Sequence, residues 1–221
     1  MSAAWTVAVG HDTTSAVYEP ALGDADVAVF VCAHGAGGNM SDRSVVATAN
    51  AMRARGIGVV RFNFLYREKK RGRPDQMPVL QETVAAVVER ARTELGPKRL
   101  VIGGRSMGGR AASMLAAEGF AADGLLLLAY PLHPPGKPNQ LRDAHLPKIT
   151  MPVCCFCGTR DPFVTRAIMQ RVLEKVTAPW EMHWVEGADH SFHVLKSSGR
   201  TDAEVLQQIA TTSREWIDHL P

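Results

Sequence analysis

A serine lies between small residues at a predicted strand-to-helix turn. Gly104-Arg105-Ser106-Met107-Gly108 follows the apolar run Leu100-Val101-Ile102-Gly103 and precedes an alanine-rich stretch typical of a helix. A tight turn that lifts a hydroxyl above the end of a strand brings backbone segments close together, so the residues two before and two after the serine must be small. Gly104 and Gly108 meet this requirement. The pattern predicts that Ser106 is a nucleophile at the apex of the turn.

A glycine-rich segment earlier in the chain is suited to supply hydrogen-bond donors to a reaction at Ser106. His34-Gly35-Ala36-Gly37-Gly38 follows the apolar run at 27–33, in the position expected for a loop after an early central strand. Backbone N–H groups in such a loop can bind the negative charge that develops on an attacked carbonyl oxygen. We predict that the N–H groups of Ala36 and Met107 form this oxyanion hole. The alternative is a tight glycine turn without a chemical role.

Asp161 and His190, which lie further along the chain, complete the order Ser, Asp, His after Ser106. Asp161 follows the apolar stretch 153–157, and His190 follows a predicted strand at 181–186. A carboxylate after one strand and a histidine after the next can meet at one edge of a sheet. We therefore predict a triad in which Ser106 attacks an acyl carbon, His190 accepts and returns its proton, and Asp161 orients the imidazole and stabilises its charged form.

The residue types leave alternatives open within this triad. Asp161 before Pro162 is also typical of a helix N-cap, a role that is compatible with the triad. Asp143, in a proline-rich loop, is the alternative acid, and His193 is the alternative base. Three other histidines are interpreted as surface or strand residues without a catalytic role: His11, His183 and His219.

The composition is that of a globular protein. With 221 residues, 46% hydrophobic and 21% charged, the chain is expected to fold as one domain over 1–221 that buries a sizeable core. Residues 1–10 lack the basic and apolar segments of a signal peptide, and no run reaches the about 18 apolar residues of a membrane span. We expect a cytoplasmic protein with no membrane partner, and we favour a monomer.

The four cysteines indicate a reducing compartment. They are Cys32, Cys154, Cys155 and Cys157, and the last three crowd into one predicted strand, where they make poor disulfide partners. We interpret them as reduced core thiols. Because no matching histidine cluster accompanies them, we predict no metal site, and the sequence indicates no other cofactor.

The net charge of +3 is mildly basic, and we predict no nucleic-acid partner. Much of the excess lies in one short loop after a predicted strand at 58–64, and its basic residues are Arg67, Lys69, Lys70, Arg71 and Arg73. The loop is interpreted either as a solvated charge run or as a basic rim that attracts anionic substrates.

Apolar, strand-like runs alternate with amphipathic helical stretches along nearly the whole chain. This pattern predicts an α/β fold with a doubly wound, mostly parallel sheet and helices on both faces. One helix is predicted at 41–55, and a second ends at Gly96. The last helix opens with a capping box formed by Thr201 and Glu204.

The segment 130–151 connects two predicted strands at a place where many hydrolases insert a helical lid. It is too short for a lid domain, and its prolines predict a stiff loop at the rim of the site. Substrates are therefore expected to reach Ser106 from open solvent. Lys137 and Arg142 lie in this loop and, with Arg67, are candidate substrate-binding residues.

Over essentially its full length the chain resembles small, lidless α/β-hydrolases of the dienelactone-hydrolase-like group. A narrower resemblance, to the branch that contains a testis-expressed protein and a subunit of a histone-acetyltransferase complex, rests on 103–108, Tyr130-Pro131-Leu132-His133 and Leu141-Arg142-Asp143. Dienelactone hydrolases have a cysteine nucleophile where this chain has Ser106. The resemblance therefore implies the α/β-hydrolase fold and not a particular substrate.

These observations predict a serine hydrolase that cleaves a carboxylic ester or thioester through an acyl-enzyme. The expected partner is a small-molecule acyl substrate, including anionic acyl groups held by Arg142, Lys137 or the basic loop. Two alternatives stay open. The resemblance to a complex subunit implies a noncatalytic interaction module that retains the fold, and a peptide or amide hydrolase would use the same triad.

Overall fold

A computed structural model of the chain describes residues 2–23 and 28–221. Val27, the first residue of the predicted apolar run, lies outside the described residues. Within these ranges, eight strands form one sheet: β1 (Ala3–Val9), β2 (Asp12–Glu19), β3 (Ala28–Ala33), β4 (Ile57–Phe62), β5 (Arg99–Arg105), β6 (Gly124–Leu128), β7 (Val153–Gly158) and β8 (Trp180–Val185). Their order is β1-β2-β4-β3-β5-β6-β7-β8. Strand β2 is antiparallel to β1 and β4, and all other neighbours are parallel, which confirms the predicted sheet.

Helices cover both faces of the sheet, as predicted. The same part of the chain contains α1 (Arg43–Arg53), α2 (Leu65–Glu68), α3 (Met77–Leu95), α4 (Met107–Ala117), α5 (Arg166–Leu173) and α6 (Asp202–Asp218). Helices α1 and α6 pack on one face, whereas α3, α4 and α5 pack on the other, so the core divides into two apolar clusters. Strands β3 and β4 are buried along their whole length, as expected for parallel strands covered on both sides.

The cysteines of β7 divide between the two clusters because side chains alternate along a strand. Cys154 packs with α6, and Cys155 and Cys157 pack on the opposite face. All three, like Cys32, are buried and free. This confirms their interpretation as core thiols.

Two helix ends follow the predicted local rules, and the start of α1 differs from its prediction. Helix α3 ends at Gly96 in a left-handed conformation, and α6 opens with the predicted capping box of Thr201 and Glu204. Helix α1 begins at Arg43, later than predicted, because Asp42 instead accepts hydrogen bonds from the backbone and side chain of Asn39.

The connection between β6 and β7 contains one short 3-10 turn, Leu146–Lys148, and no lid domain is present in the described structure. None of the helices in the described ranges combines the length and the hydropathy that a membrane span requires.

Candidate active site

Ser106 lies between the end of β5 and the start of α4, at the carboxyl edge of the sheet. Its φ of 48° and ψ of −115° are rarely adopted by a non-glycine residue. The Ser106 N–H donates to the Leu128 carbonyl oxygen at 2.9 Å, and its own carbonyl oxygen accepts from the Arg110 N–H at 2.9 Å. The surrounding structure thus fixes a strained backbone that projects the hydroxyl, as often found at active sites.

The glycines that flank Ser106 allow this turn to pack against the end of β3. A Cβ atom at position 104 would lie 2.2 Å from the Ala33 carbonyl oxygen, and one at position 108 would lie 2.6 Å from that of His34. Both distances are shorter than any tolerated contact. The structure therefore shows why Gly104 and Gly108 must be small.

Three side chains that are distant in sequence form a hydrogen-bonded chain. His190 Nε2 lies 2.9 Å from Ser106 Oγ, and His190 Nδ1 lies 2.7 Å from Asp161 Oδ2. The Asp161 side chain is fully buried, and its other oxygen accepts from the Phe163 N–H at 2.8 Å. Because the carboxylate is an acceptor, His190 Nδ1 carries the proton that it donates, and Nε2 is left to accept the proton of the Ser106 hydroxyl.

Two residues that sequence reasoning did not identify hold His190 in place. The Phe163 ring packs on the imidazole with centroids 4.3 Å apart, and Arg105 Nη2 donates to the His190 carbonyl oxygen at 3.1 Å. Burial lowers the pKa of Arg105, and its Nε atom is buried without a described acceptor. The Asp189 carboxylate organises the same loop by accepting the N–H groups of Ser191 and His193.

The structure also tests the alternatives that the sequence left open for the N-cap, the base and the acid. Helix α5 begins at Arg166 and is capped by Thr165, whose hydroxyl accepts from the Ile168 N–H, so the interpretation of Asp161 as the N-cap is wrong. His193 Nδ1 lies 2.9 Å from Asp202 Oδ2 at an exposed position. The acid that contacts His190 is Asp161, and not Asp143.

Residues beneath the glycine-rich loop fix its course. His34 is fully buried, its Nδ1 donates to the Gly35 carbonyl oxygen at 2.8 Å, and its Nε2 accepts from the Phe64 N–H at 3.2 Å. Burial lowers the pKa of His34, which is consistent with this neutral form. The Tyr66 hydroxyl accepts from the Gly37 N–H at 3.1 Å. His34 and Tyr66 thus hold the loop beside Ser106, a role without a sequence motif.

The predicted oxyanion donors line the same cleft as Ser106. The Ala36 N–H makes no hydrogen bond to another described residue, and the amino end of α4, where Met107 lies, receives no side-chain cap. Both residues therefore lie beside Ser106 in the cleft. Their role as an oxyanion hole stays a prediction.

The cleft has a volume of about 610 Å³. Arg142 lines it, as does Arg110, which sequence reasoning missed. Lys137 and Arg67 are not among the lining residues. Lys137 is exposed in its loop, and the Arg67 guanidinium lies over the Tyr66 ring at 5.9 Å.

A second serine–histidine pair lies behind the cleft wall. Ser113 Oγ is 2.8 Å from His145 Nε2. Ser113 is fully buried, and its hydroxyl donates to the Arg110 carbonyl oxygen. Burial and then the Arg110 charge lower the pKa of His145 to about 4. A neutral histidine and a buried hydroxyl at this position are suited to fix the wall. No sequence spacing indicated the pair.

Comparison with known proteins gives matches over nearly the whole chain. A family model described as an alpha/beta hydrolase domain matches residues 26–218. A lidless α/β serine hydrolase from Xanthomonas campestris is similar, with a TM-score of 0.77 and 23% identity, over 100% of this chain and 97% of that one. A dienelactone hydrolase from Anabaena variabilis has a TM-score of 0.77 and 18% identity, over 100% and 98% of the two chains. At these identities the likeness shows the fold alone.

Similarity to curated sequences is more limited. The uncharacterized protein YfhR of Escherichia coli O157:H7 is 36% identical over 97 residues, which is 43% of this chain and 33% of that protein. The match therefore spans about a third of the curated relative's length. The narrower resemblance to the branch with a testis-expressed protein stays a prediction.

Proposed function

We propose that this chain, which belongs to the alpha/beta hydrolase domain family, is a serine hydrolase that cleaves carboxylic esters or thioesters. The observation that supports the proposal is the hydrogen-bonded chain from Ser106 through His190 to Asp161. It lies in an open cleft at the carboxyl edge of the sheet, where the strained turn presents the serine hydroxyl.

In the first half of the reaction, Ser106 Oγ attacks the acyl carbon while His190 Nε2 takes the hydroxyl proton. Asp161 stabilises the imidazolium through its hydrogen bond to Nδ1. The N–H groups of Ala36 and Met107 bind the oxyanion of the tetrahedral intermediate. When the bond to the alcohol or thiol breaks, the leaving group receives the proton from His190, and an acyl-enzyme remains.

In the second half, water enters from the open cleft and replaces the leaving group. His190 Nε2 takes a proton from the water as its oxygen attacks the acyl carbon, and it returns this proton to Ser106 Oγ when the ester bond breaks. The products are a carboxylic acid and the free enzyme. An amide would be cleaved through the same groups. Comparing kcat/KM for an ester and an amide of the same acyl group measures which bond the enzyme cleaves more efficiently.

A chromogenic ester panel tests this proposal with a matched pair of serine variants. Both Ser106 and Ser113 are hydrogen-bonded to a histidine, but only Ser106 lines the cleft. Ser106→Ala is expected to lower kcat by about 10⁴- to 10⁶-fold, because a triad acts as a unit. Folded Ser113→Ala is expected to retain hydrolysis of neutral esters. Rates above background that are equal in wild type and Ser106→Ala would overturn the role of Ser106, and rates at the uncatalysed background for every ester with both proteins would favour a noncatalytic module.

A further inference from the structure

Three arginines line the cleft: Arg105, Arg110 and Arg142. Arg110 and Arg142 both line the space in front of Ser106, and no carboxylate of the described residues lies within ion-pair distance of either. Elsewhere the arginines that form ion pairs with acidic side chains are Arg53, Arg61, Arg71, Arg90, Arg92, Arg166 and Arg214. The third, Arg105, also lacks an ion pair to a described carboxylate, but its guanidinium donates to the His190 carbonyl oxygen. Arg110 and Arg142 are therefore the cleft arginines whose guanidinium groups have no hydrogen bond or ion pair to a described residue.

The acids of the cleft wall have other hydrogen-bond partners. Asp42 accepts from the backbone and the side chain of Asn39. Asp75 accepts from Arg71 and from the Tyr66 N–H. Neither carboxylate is therefore available as the principal partner of the two cleft arginines.

Arg110 is close to the nucleophile along the chain. It lies in the first turn of α4, four residues and about 6 Å along the helix axis from Ser106, and its N–H donates to the Ser106 carbonyl oxygen. Its Nε atom is buried and has no described acceptor. A buried donor without an acceptor costs free energy unless a ligand satisfies it.

The cluster behind the wall holds the backbone of both arginines. The Ser113 hydroxyl donates to the Arg110 carbonyl oxygen at 2.8 Å, and the Tyr130 hydroxyl donates to the Arg142 carbonyl oxygen at 2.9 Å. His145 Nε2 lies near both hydroxyls, at 2.8 and 3.4 Å. The loop residue Arg142 is thereby fixed opposite α4. Burial and then the charge of Arg110 lower the pKa of Arg142, as expected when two cations are held together.

We propose that Arg110 and Arg142 bind a carboxylate group of the substrate, and that the enzyme prefers esters or thioesters which carry a second, ionised carboxyl group. A planar guanidinium can donate two parallel hydrogen bonds to a carboxylate, and this geometry suits a site with an unsatisfied Nε donor. The inference rests on the proposed function, because it specifies the substrate class of the same cleft.

Matched substrates test this preference directly. The nitrophenyl half-ester of adipic acid carries a carboxylate on its acyl chain, and its methyl ester is the neutral analogue. A second pair places the carboxylate on the phenol ring of a butyrate ester. We expect kcat/KM for the anionic member to exceed that of its neutral analogue by about 10- to 100-fold in one of the pairs. Added salt should reduce this ratio because it screens the attraction.

Three variants test whether the two cleft arginines cause the preference for anionic esters. Arg110→Met and Arg142→Met are expected to reduce the ratio of anionic to neutral kcat/KM by about tenfold or more. Lys137→Met removes an exposed cation from the same loop as Arg142 and is expected to keep the wild-type ratio. If one arginine variant fails to fold, the other variant and the salt dependence still test the inference.

The outcomes distinguish this inference from the proposed function. A wild type that hydrolyses both members of each pair equally well overturns the carboxylate site and leaves the hydrolase proposal standing. A ratio that changes in Lys137→Met but not in the arginine variants also overturns the site. Absence of hydrolysis for every ester counts against the proposed function itself.

Discussion

The hydroxyl oxygen of Ser106 lies 2.9 Å from Nε2 of His190, although 84 positions separate the two residues in the chain. The sheet accounts for this proximity. Strand β5 ends just before Ser106, and the loop after β8 carries His190, so both side chains lie at the same edge. Catalysis by Ser106 depends on this contact and on the residues that hold it.

Asp161→Asn is expected to lower kcat by about 10⁴-fold, because an amide favours the wrong imidazole tautomer. The measurement is steady-state hydrolysis of a nitrophenyl ester by protein with an unchanged circular dichroism spectrum. Asp143→Asn is the matched control, since Asp143 is the alternative acid, and it should remain near wild type. The reverse ranking of the two variants would contradict the assignment.

The corresponding comparison of bases is His190→Gln against His193→Gln. Removing His190 should reduce kcat by several orders of magnitude, because the proton of Ser106 then has no acceptor. His193 forms an exposed pair with Asp202, so its loss should alter the free energy of unfolding by less than about 1 kcal/mol and leave kcat similar. A larger loss of activity in His193→Gln would show that the wrong histidine has been assigned.

Gly104→Ala is expected to destabilise the fold by more than about 3 kcal/mol, because the new Cβ would clash with the backbone of β3 at a left-handed φ. Urea denaturation measures the change. Gly72→Ala is a suitable control, because its Cβ would meet no atom within 4 Å. Similar unfolding midpoints for the two variants would be inconsistent with the tight turn.

The low pKa of His145 predicts a pH dependence of stability. Its pKa is about 4 in the fold and about 6.5 in the unfolded chain, so the folded state binds fewer protons between these values. The free energy of unfolding should therefore decrease as the pH falls from about 6.5 to about 4. His145→Gln cannot titrate, and its stability should fall less steeply over this interval. Parallel slopes for the two proteins would refute the prediction.

Local rules account for what the sequence predicted. The glycines around Ser106 follow from the tight turn, and the order of Ser106, Asp161 and His190 follows from where strands of this fold end. The capping box of Thr201 and Glu204 likewise depends on neighbouring residues alone. Such features can be identified because their spacing in the chain reflects the geometry.

Features that depend on distant side chains could not be predicted in this way. His34 is hydrogen-bonded to Phe64, 30 positions away, and Ser113 is hydrogen-bonded to His145, 32 positions away. Neither separation is a characteristic spacing that a sequence pattern reveals. Whether an arginine lines the cleft depends on the path of its loop and the rotation of its helix. Arg110 was missed for this reason. The hairpin of β1 and β2 is different, since the alternating residues on either side of Gly10 are a local signal for two paired strands.

The most direct test of the central claim is covalent labelling with a fluorophosphonate, which reacts with activated serines. Intact mass and peptide mapping should show one adduct on Ser106 in the wild type, none in Ser106→Ala, and much slower labelling in His190→Gln. Folded wild type that stays unlabelled, or an adduct on Ser113 in place of Ser106, would contradict the account.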